Sequence, residues 1–142
     1  MQYRGTYIQV DLRAIAHNAE TLRRAIAPAR HMLAVVKANA YGHGLVPVAK
    51  TALAHGADYL GVGAAFSTHT KTDVDVLPEG ELKKICDAVD VPVVAIGGIH
   101  KDNILQLKGS GADGVALVSA IFGAEDIEAE CRELKALAEQ II

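Results

Sequence analysis

The chain of 142 residues has no tryptophan, two phenylalanines and four tyrosines, so any core must be built from aliphatic side chains. Its two cysteines, Cys86 and Cys131, are too few for the disulfide framework of a small secreted domain. Both fall on apolar stripes of expected helices, where an inert, buried thiol is the ordinary reading. Neither sign of charge dominates: 14 Lys and Arg stand against 17 Asp and Glu, a net charge of -3. The basic residues are scattered, so no footprint for nucleic acid or an anionic membrane is expected. No apolar run approaches the roughly 20 residues of a membrane helix, and residues 1–5 lack the apolar core of a signal peptide. A cytoplasmic, soluble setting is the expectation. The six histidines show no His-x-His or His-x-x-x-His spacing, which argues against zinc. No Walker loop, Gly-x-Ser-x-Gly turn or nucleophile-base pair is present.

What the chain does have is 51% hydrophobic residues and 22% charged ones, the composition of one globular domain over residues 1–142. Short apolar runs alternate with helix-period segments, the pattern of βα units around a parallel sheet. Strands are expected at residues 32–36, 58–63, 91–96 and 113–118. Each is apolar throughout, as when both faces of a parallel strand are covered. Helices are expected at 45–55, 79–89 and 102–108, with proline at starts and glycine at stops. A last helix, capped by Asp126, sets Ile127, Cys131, Leu134, Ala138 and Ile141 on one stripe. At the N-terminus, residues 6–10 alternate like an edge strand, and Asp11 caps a helix with the stripe Leu12, Ile15, Ala16, Ala19, Leu22 and Ile26, stopped by Pro28. The fold class is therefore α/β: a partial TIM-type (βα) barrel of about four parallel strands plus an N-terminal strand and helix. Two open edges and one barrel-lining face favour closure as a dimer, giving an eight-stranded barrel. The alternative is a flavodoxin-like open sheet. Gly56-Ala57-Asp58 and Gly111-Ala112-Asp113 each open a strand and read as one helix-to-strand turn used twice.

The run VVKANAYGHG at residues 35–44 resembles the cofactor-lysine segment of alanine racemase. That resemblance implies a Schiff base between Lys37 and pyridoxal 5'-phosphate, with Tyr41 on the cofactor phosphate and His43 packed under the loop. A lysine closing an apolar strand sits where desolvation favours the neutral amine such chemistry requires. The family's second catalytic tyrosine, from a β-domain of a partner subunit, has no counterpart in this sequence.

In the other half, VVAIGGI at residues 93–99 and ALVSAIF at residues 116–122 resemble the phosphate-binding end of thiamine-phosphate synthase. Glycines after one strand and a serine opening a short helix after the next are what a barrel's phosphate site uses: glycine lets N–H groups approach, and the helix end is electropositive. The phosphate-binding candidates are thus Gly97, Gly98, Val118 and Ser119, and the resemblance adds Thr68, Thr70 and Lys71 as pyrophosphate contacts. The family's acidic magnesium site and pyrimidine surface are not found, and Asp73 and Asp75 read as solvated loop residues, so no metal is expected.

The two resemblances imply a recombined or engineered chimera, racemase-like over residues 1–57 and synthase-like over 58–142. The expected function is phosphate binding without native turnover. No cofactor is required; phosphate or sulfate is the expected ligand and pyridoxal 5'-phosphate a weak one. Partners are a small anion and a second copy of the chain. The alternatives are a pyridoxal-phosphate enzyme of racemase type and a thiamine-phosphate synthase-like activity.

Overall fold

The computed structural model describes residues 7–67 and 76–142. Its elements, in chain order, are α1 (Leu12–Ala25), β1 (Leu33–Val35), α2 (Lys37–Tyr41), α3 (Leu45–Ala54), β2 (Tyr59–Val62), α4 (Glu81–Asp87), β3 (Val93–Ile96), η1 (Ile104–Leu107), β4 (Gly114–Ala116), α5 (Ser119–Phe122) and α6 (Ile127–Ala138). The four strands form one parallel sheet in the order β1-β2-β3-β4. Strands that neighbour in sequence neighbour in space, with no reversal of order. This is the topology of an opened (βα) barrel and not of the flavodoxin-like alternative.

Local chemistry accounts for the boundaries. The Asp11 carboxylate accepts from the Arg13 N–H at 2.9 Å, and Asp126 accepts from the Ala129 N–H at 2.9 Å, so both expected N-caps form. The repeated Gly-Ala-Asp turn has a structural role. Asp58 accepts from the Met32 N–H at 2.6 Å while its own N–H donates to the Met32 carbonyl. Asp113 does the same with Val93, accepting at 2.8 Å. Each aspartate thereby ties the entry of its strand to the entry of the strand before. The helix expected at 102–108 is a short 3-10 turn, held by the Asn103 side chain.

The edge strand expected at residues 6–10 is not formed: residues 7–10 carry no strand structure, and Tyr7 and Ile8 are exposed. A lone segment with no sheet partner has no ladder to join. Within the chain the strands are packed on one side only. Val36, Leu60, Val62, Val93 and Ala95 lie in the core beneath α3, α4 and η1. The alternate residues Leu33, Val35, Val94 and Ile96 are half-buried, and none joins that core.

Candidate functional site at the C-terminal ends of the strands

All loops that leave the strands at their C-terminal ends lie on one side of the sheet, because every strand runs the same way. Two of them bend through left-handed backbone. After β3, Gly97 and Gly98 have φ of 98° and 67°, conformations only glycine takes without strain. Close packing adds a second requirement. A Cβ on Gly98 would sit 2.5 Å from the Ser67 carbonyl oxygen, and one on Gly97 would sit 2.9 Å from the Ala64 Cβ. The segment leaving β2 therefore lies directly on this turn, with the Phe66 N–H donating to the Gly97 carbonyl at 3.1 Å.

Asn103 fixes the other side of the turn. Its amide donates to the Gly98 carbonyl at 2.8 Å, and its side-chain oxygen accepts from the His100 N–H at 2.8 Å. It is the one buried polar residue among those described. Sequence reasoning missed it; the only signal was an asparagine amid the apolar residues of a short helix. With the carbonyls engaged in this way, the N–H groups of Gly98 and Ile99 make no hydrogen bond among the described residues. They border a cleft of about 600 Å³ whose walls include Phe66, Ser67, His100 and Asn103, with Ser119 opposite. Ser119 begins α5 directly after β4, and Val118 before it is exposed. Gly98 and Ser119 thus meet across one cleft, as the sequence implied. Thr68, Thr70, Lys71, Asp73 and Asp75 lie outside the described residues.

Lys37 ends up elsewhere. The N–H groups of Val36 and Ala38 donate to the carbonyls of Gly61 and Gly63, each at 2.8 Å, which carries the pairing of β1 with β2 past the strand end. Residues Ala38 to Tyr41 then wind left-handed, with φ between 51° and 56°, although none is glycine. Local bonds hold this turn: the Leu45 N–H donates to the Asn39 side chain at 2.7 Å, and His43 Nδ1 lies 3.0 Å from the Ala40 carbonyl. His43 is nevertheless exposed, not packed under the loop as expected, because its ring is held at the surface by the loop's own carbonyls; Tyr41 is exposed too. Strands are spaced by about 4.8 Å, so roughly 14 Å separates β1 from β4. Within one chain, Lys37 and Tyr41 do not converge with the Gly98–Ser119 cleft. Neither cysteine enters the site. Burial, aided by Asp113 and Asp87, pushes the Cys86 thiol up, which keeps it protonated.

Four sequential βα units in one parallel sheet, with the loops of interest at its C-terminal ends, define a (βα)-barrel type of α/β protein. The family model for thiamine monophosphate synthase matches residues 19–121. The chain belongs to the thiamine monophosphate synthase family. It is 52% identical over 92 residues to the thiamine-phosphate synthase of Clostridium beijerinckii, covering 65% of this chain and 44% of that protein. With the enzyme of Pyrococcus furiosus the identity is 47% over 87 residues, covering 61% and 42%. The chain thus spans less than half the length of these curated relatives. Among solved structures, thiamine phosphate pyrophosphorylase from Pyrococcus furiosus superposes with a TM-score of 0.59 at 28% identity, over 94% of this chain and 80% of that one. Alanine racemase from Bacillus anthracis gives a TM-score of 0.59 at 29% identity, over 82% of this chain and 27% of that one. The family match begins at residue 19, inside the segment that resembles racemase, and recombination is not shown. No helix among the described residues is long and apolar enough to cross a membrane.

Proposed function

We propose that this chain is a phosphate-binding module of thiamine-phosphate synthase type, which holds a phosphate- or pyrophosphate-bearing ligand between the Gly97-Gly98 turn and Ser119. One observation carries the reading: Gly98 and Ile99, whose N–H groups have no partner among the described residues, line the same cleft as Ser119. Adjacent backbone donors with a hydroxyl opposite make a nest for an anion, and family membership supplies the ligand class. The chain spans less than half of the curated relatives' length, so the reading offered for it is the phosphate-holding part of a thiamine-phosphate synthase-like activity.

Pyrophosphate at ten times its dissociation constant stabilises the folded chain by about 1.4 kcal/mol, a rise of roughly 3–5 °C in Tm for a chain of this size. Ser119→Asp sets a carboxylate against the anion and removes the rise without touching the packed turn. Equal rises in parent and variant, or the same rise with chloride at matched ionic strength, would reject the site.

A reading of origin accompanies this one: residues 1–57 are a racemase-type segment joined to a synthase-type segment at 58–142. Its support is the VVKANAYGHG run and the likeness to the racemase structure. A second ligand reading rests on the VVKANAYGHG run around Lys37: pyridoxal 5'-phosphate is captured weakly there and no racemisation of alanine follows. Borohydride treatment after mixing labels Lys37 ahead of Lys50, Lys83 and Lys101; equal labelling would reduce this to surface-amine chemistry.

A further inference from the structure

One face of the sheet is packed and the other is not. Leu33, Val35, Val94, Ile96 and Ala116 form an apolar face that no described helix covers. Parallel sheets carry apolar residues on both faces because both are normally covered. The sheet also has two open edges, since β1 pairs only with β2, and β4 only with β3. Exposed apolar residues continue outward from each edge. Tyr7, Ile8 and Leu22 are exposed in the segment before β1; Val118, Phe122 and Ile127 are exposed after β4. The outermost helices are also opposite in charge. Before β1, Arg13, Arg23, Arg24 and Arg30 outweigh Asp11 and Glu20, whereas α6 with its caps carries Asp126, Glu128, Glu130, Glu133 and Glu139 against Arg132, Lys135 and the Lys101 that pairs with Glu130 and Glu133.

We propose that a second copy of this chain covers the open face, with β4 of each copy adding in parallel to β1 of the other, so that two four-stranded sheets close one eight-stranded barrel. Two sheets merely stacked face to face would leave all four edges unpaired. Closure as a barrel pairs every edge, and eight strands give an interior that side chains can fill. It also brings the basic flank of one copy to the acidic α6 of the other. The apolar flanks are covered in the same seams.

Closure completes the anion site, a part of the inference that rests on the binding reading above. Lys37 lies three strand steps from Ser119 in its own chain, but only one step from Ser119 of the other copy, about 4.8 Å between strand axes. The ammonium of the second copy's Lys37 then stands beside the Gly98–Ser119 cleft. A charge-assisted contact of this kind strengthens anion binding about tenfold.

Sedimentation equilibrium of the 142-residue chain tests the assembly. The expected mass is twice 15.0 kDa at micromolar concentration, and Val94→Glu, which sets a carboxylate on the open face, lowers it to the single-chain value. A single-chain mass for the parent at all concentrations would overturn the proposal, leaving the face to another part of a longer protein. Should Val94→Glu fail to fold, the parent still decides the matter: amide exchange at residues 33–35 and 114–116 slows as concentration rises, and exchange independent of concentration would overturn pairing at these edges. The shared site is tested by mixing. Lys37→Ala and Ser119→Asp each weaken pyrophosphate binding about tenfold or more, and their equimolar mixture regains tight sites, because one seam of each mixed dimer carries both intact residues. No recovery would place Lys37 outside the site while the mass still reports the dimer; absence of pyrophosphate binding by the parent would sink the binding reading alone.

Discussion

Two loops leave this sheet through left-handed backbone, and they reach it by opposite means. After β3 the chain uses Gly97 and Gly98, for which positive φ is free, and the turn is then filled by neighbouring backbone. After β1 it uses Ala38, Asn39, Ala40 and Tyr41, each of which costs about 1–2 kcal/mol in that region. A stretch of such residues persists only where its surroundings over-determine it. Here the determinants are the Asn39 side chain on the Leu45 N–H, His43 on the Ala40 carbonyl, and the buried Ala40 and Leu45. The glycine turn is therefore cheap in conformation and demanding in space, and the other turn is the reverse. The contrast teaches that positive φ alone does not mark a ligand site. What distinguishes the β3 turn is a pair of donors with no partner among the described residues.

Substitutions can break this contrast. The largest effect is expected at Gly98→Val, where a branched side chain meets both positive φ and the carbonyls of Phe66 and Ser67; a loss of roughly 3 kcal/mol or more should appear in chemical denaturation. A loss under about 1 kcal/mol would show that the β2 exit is free to move away. Next comes Asn103→Ala, which leaves the Gly98 carbonyl and the His100 N–H unpaired and should cost about 2–4 kcal/mol. Pyrophosphate should then bind more weakly as the turn relaxes, and unchanged affinity would separate the turn from the site. Asn39→Ala removes one bond from the strained turn and should cost about 1–2 kcal/mol.

Ala38→Gly sharpens the contrast from the other side. It relieves strain at φ 51° and should stabilise by about 0.5–1 kcal/mol after glycine's extra entropy is subtracted; a destabilised variant would mean that the turn is not strained. The smallest effect concerns pH. The Met32 N–H, with Arg23 and His31, holds the Asp58 carboxyl below its usual value of 3.8. A lowered carboxyl favours the folded state above the unfolded value, and that contribution fades as pH falls through about 4 towards the folded one. Asp58→Asn should therefore flatten the acid limb of a Tm-against-pH curve, and parallel limbs would remove Asp58 as its cause.

Much of this architecture was legible in the chain. Four continuous apolar runs gave the strands, and Asp11 and Asp126 gave two helix starts, because these signals are local. The Gly-Ala-Asp echo was visible, but its purpose was not, since the partner of each aspartate is the N–H of a strand more than 19 residues away. That one face would stay uncovered was expected, but not which residues line it: Val94 and Ile96 are as apolar as Val93 and Ala95, so composition could not say which pair a helix would cover. Residues 7–10 alternated convincingly and still formed no strand, because alternation describes a face and supplies no partner. At the site, Gly97, Gly98 and Ser119 were readable from spacing. Asn103 was not, and neither was the left-handed turn, whose Ala-Asn-Ala-Tyr composition favours an ordinary helix as much as anything else.

The strand order carries a consequence for how the molecule forms and fails. Since each strand contacts only its immediate neighbours in sequence, the sheet is close to a one-dimensional array, in which stability is a sum over units and the interfaces between them. No early strand has to wait for a distant one, so contact order is low for a parallel sheet and folding can begin at any adjacent pair. In the single chain the central β2-β3 pair has a neighbour on each side and should be the last to exchange its amide protons, with β1 and β4 opening first.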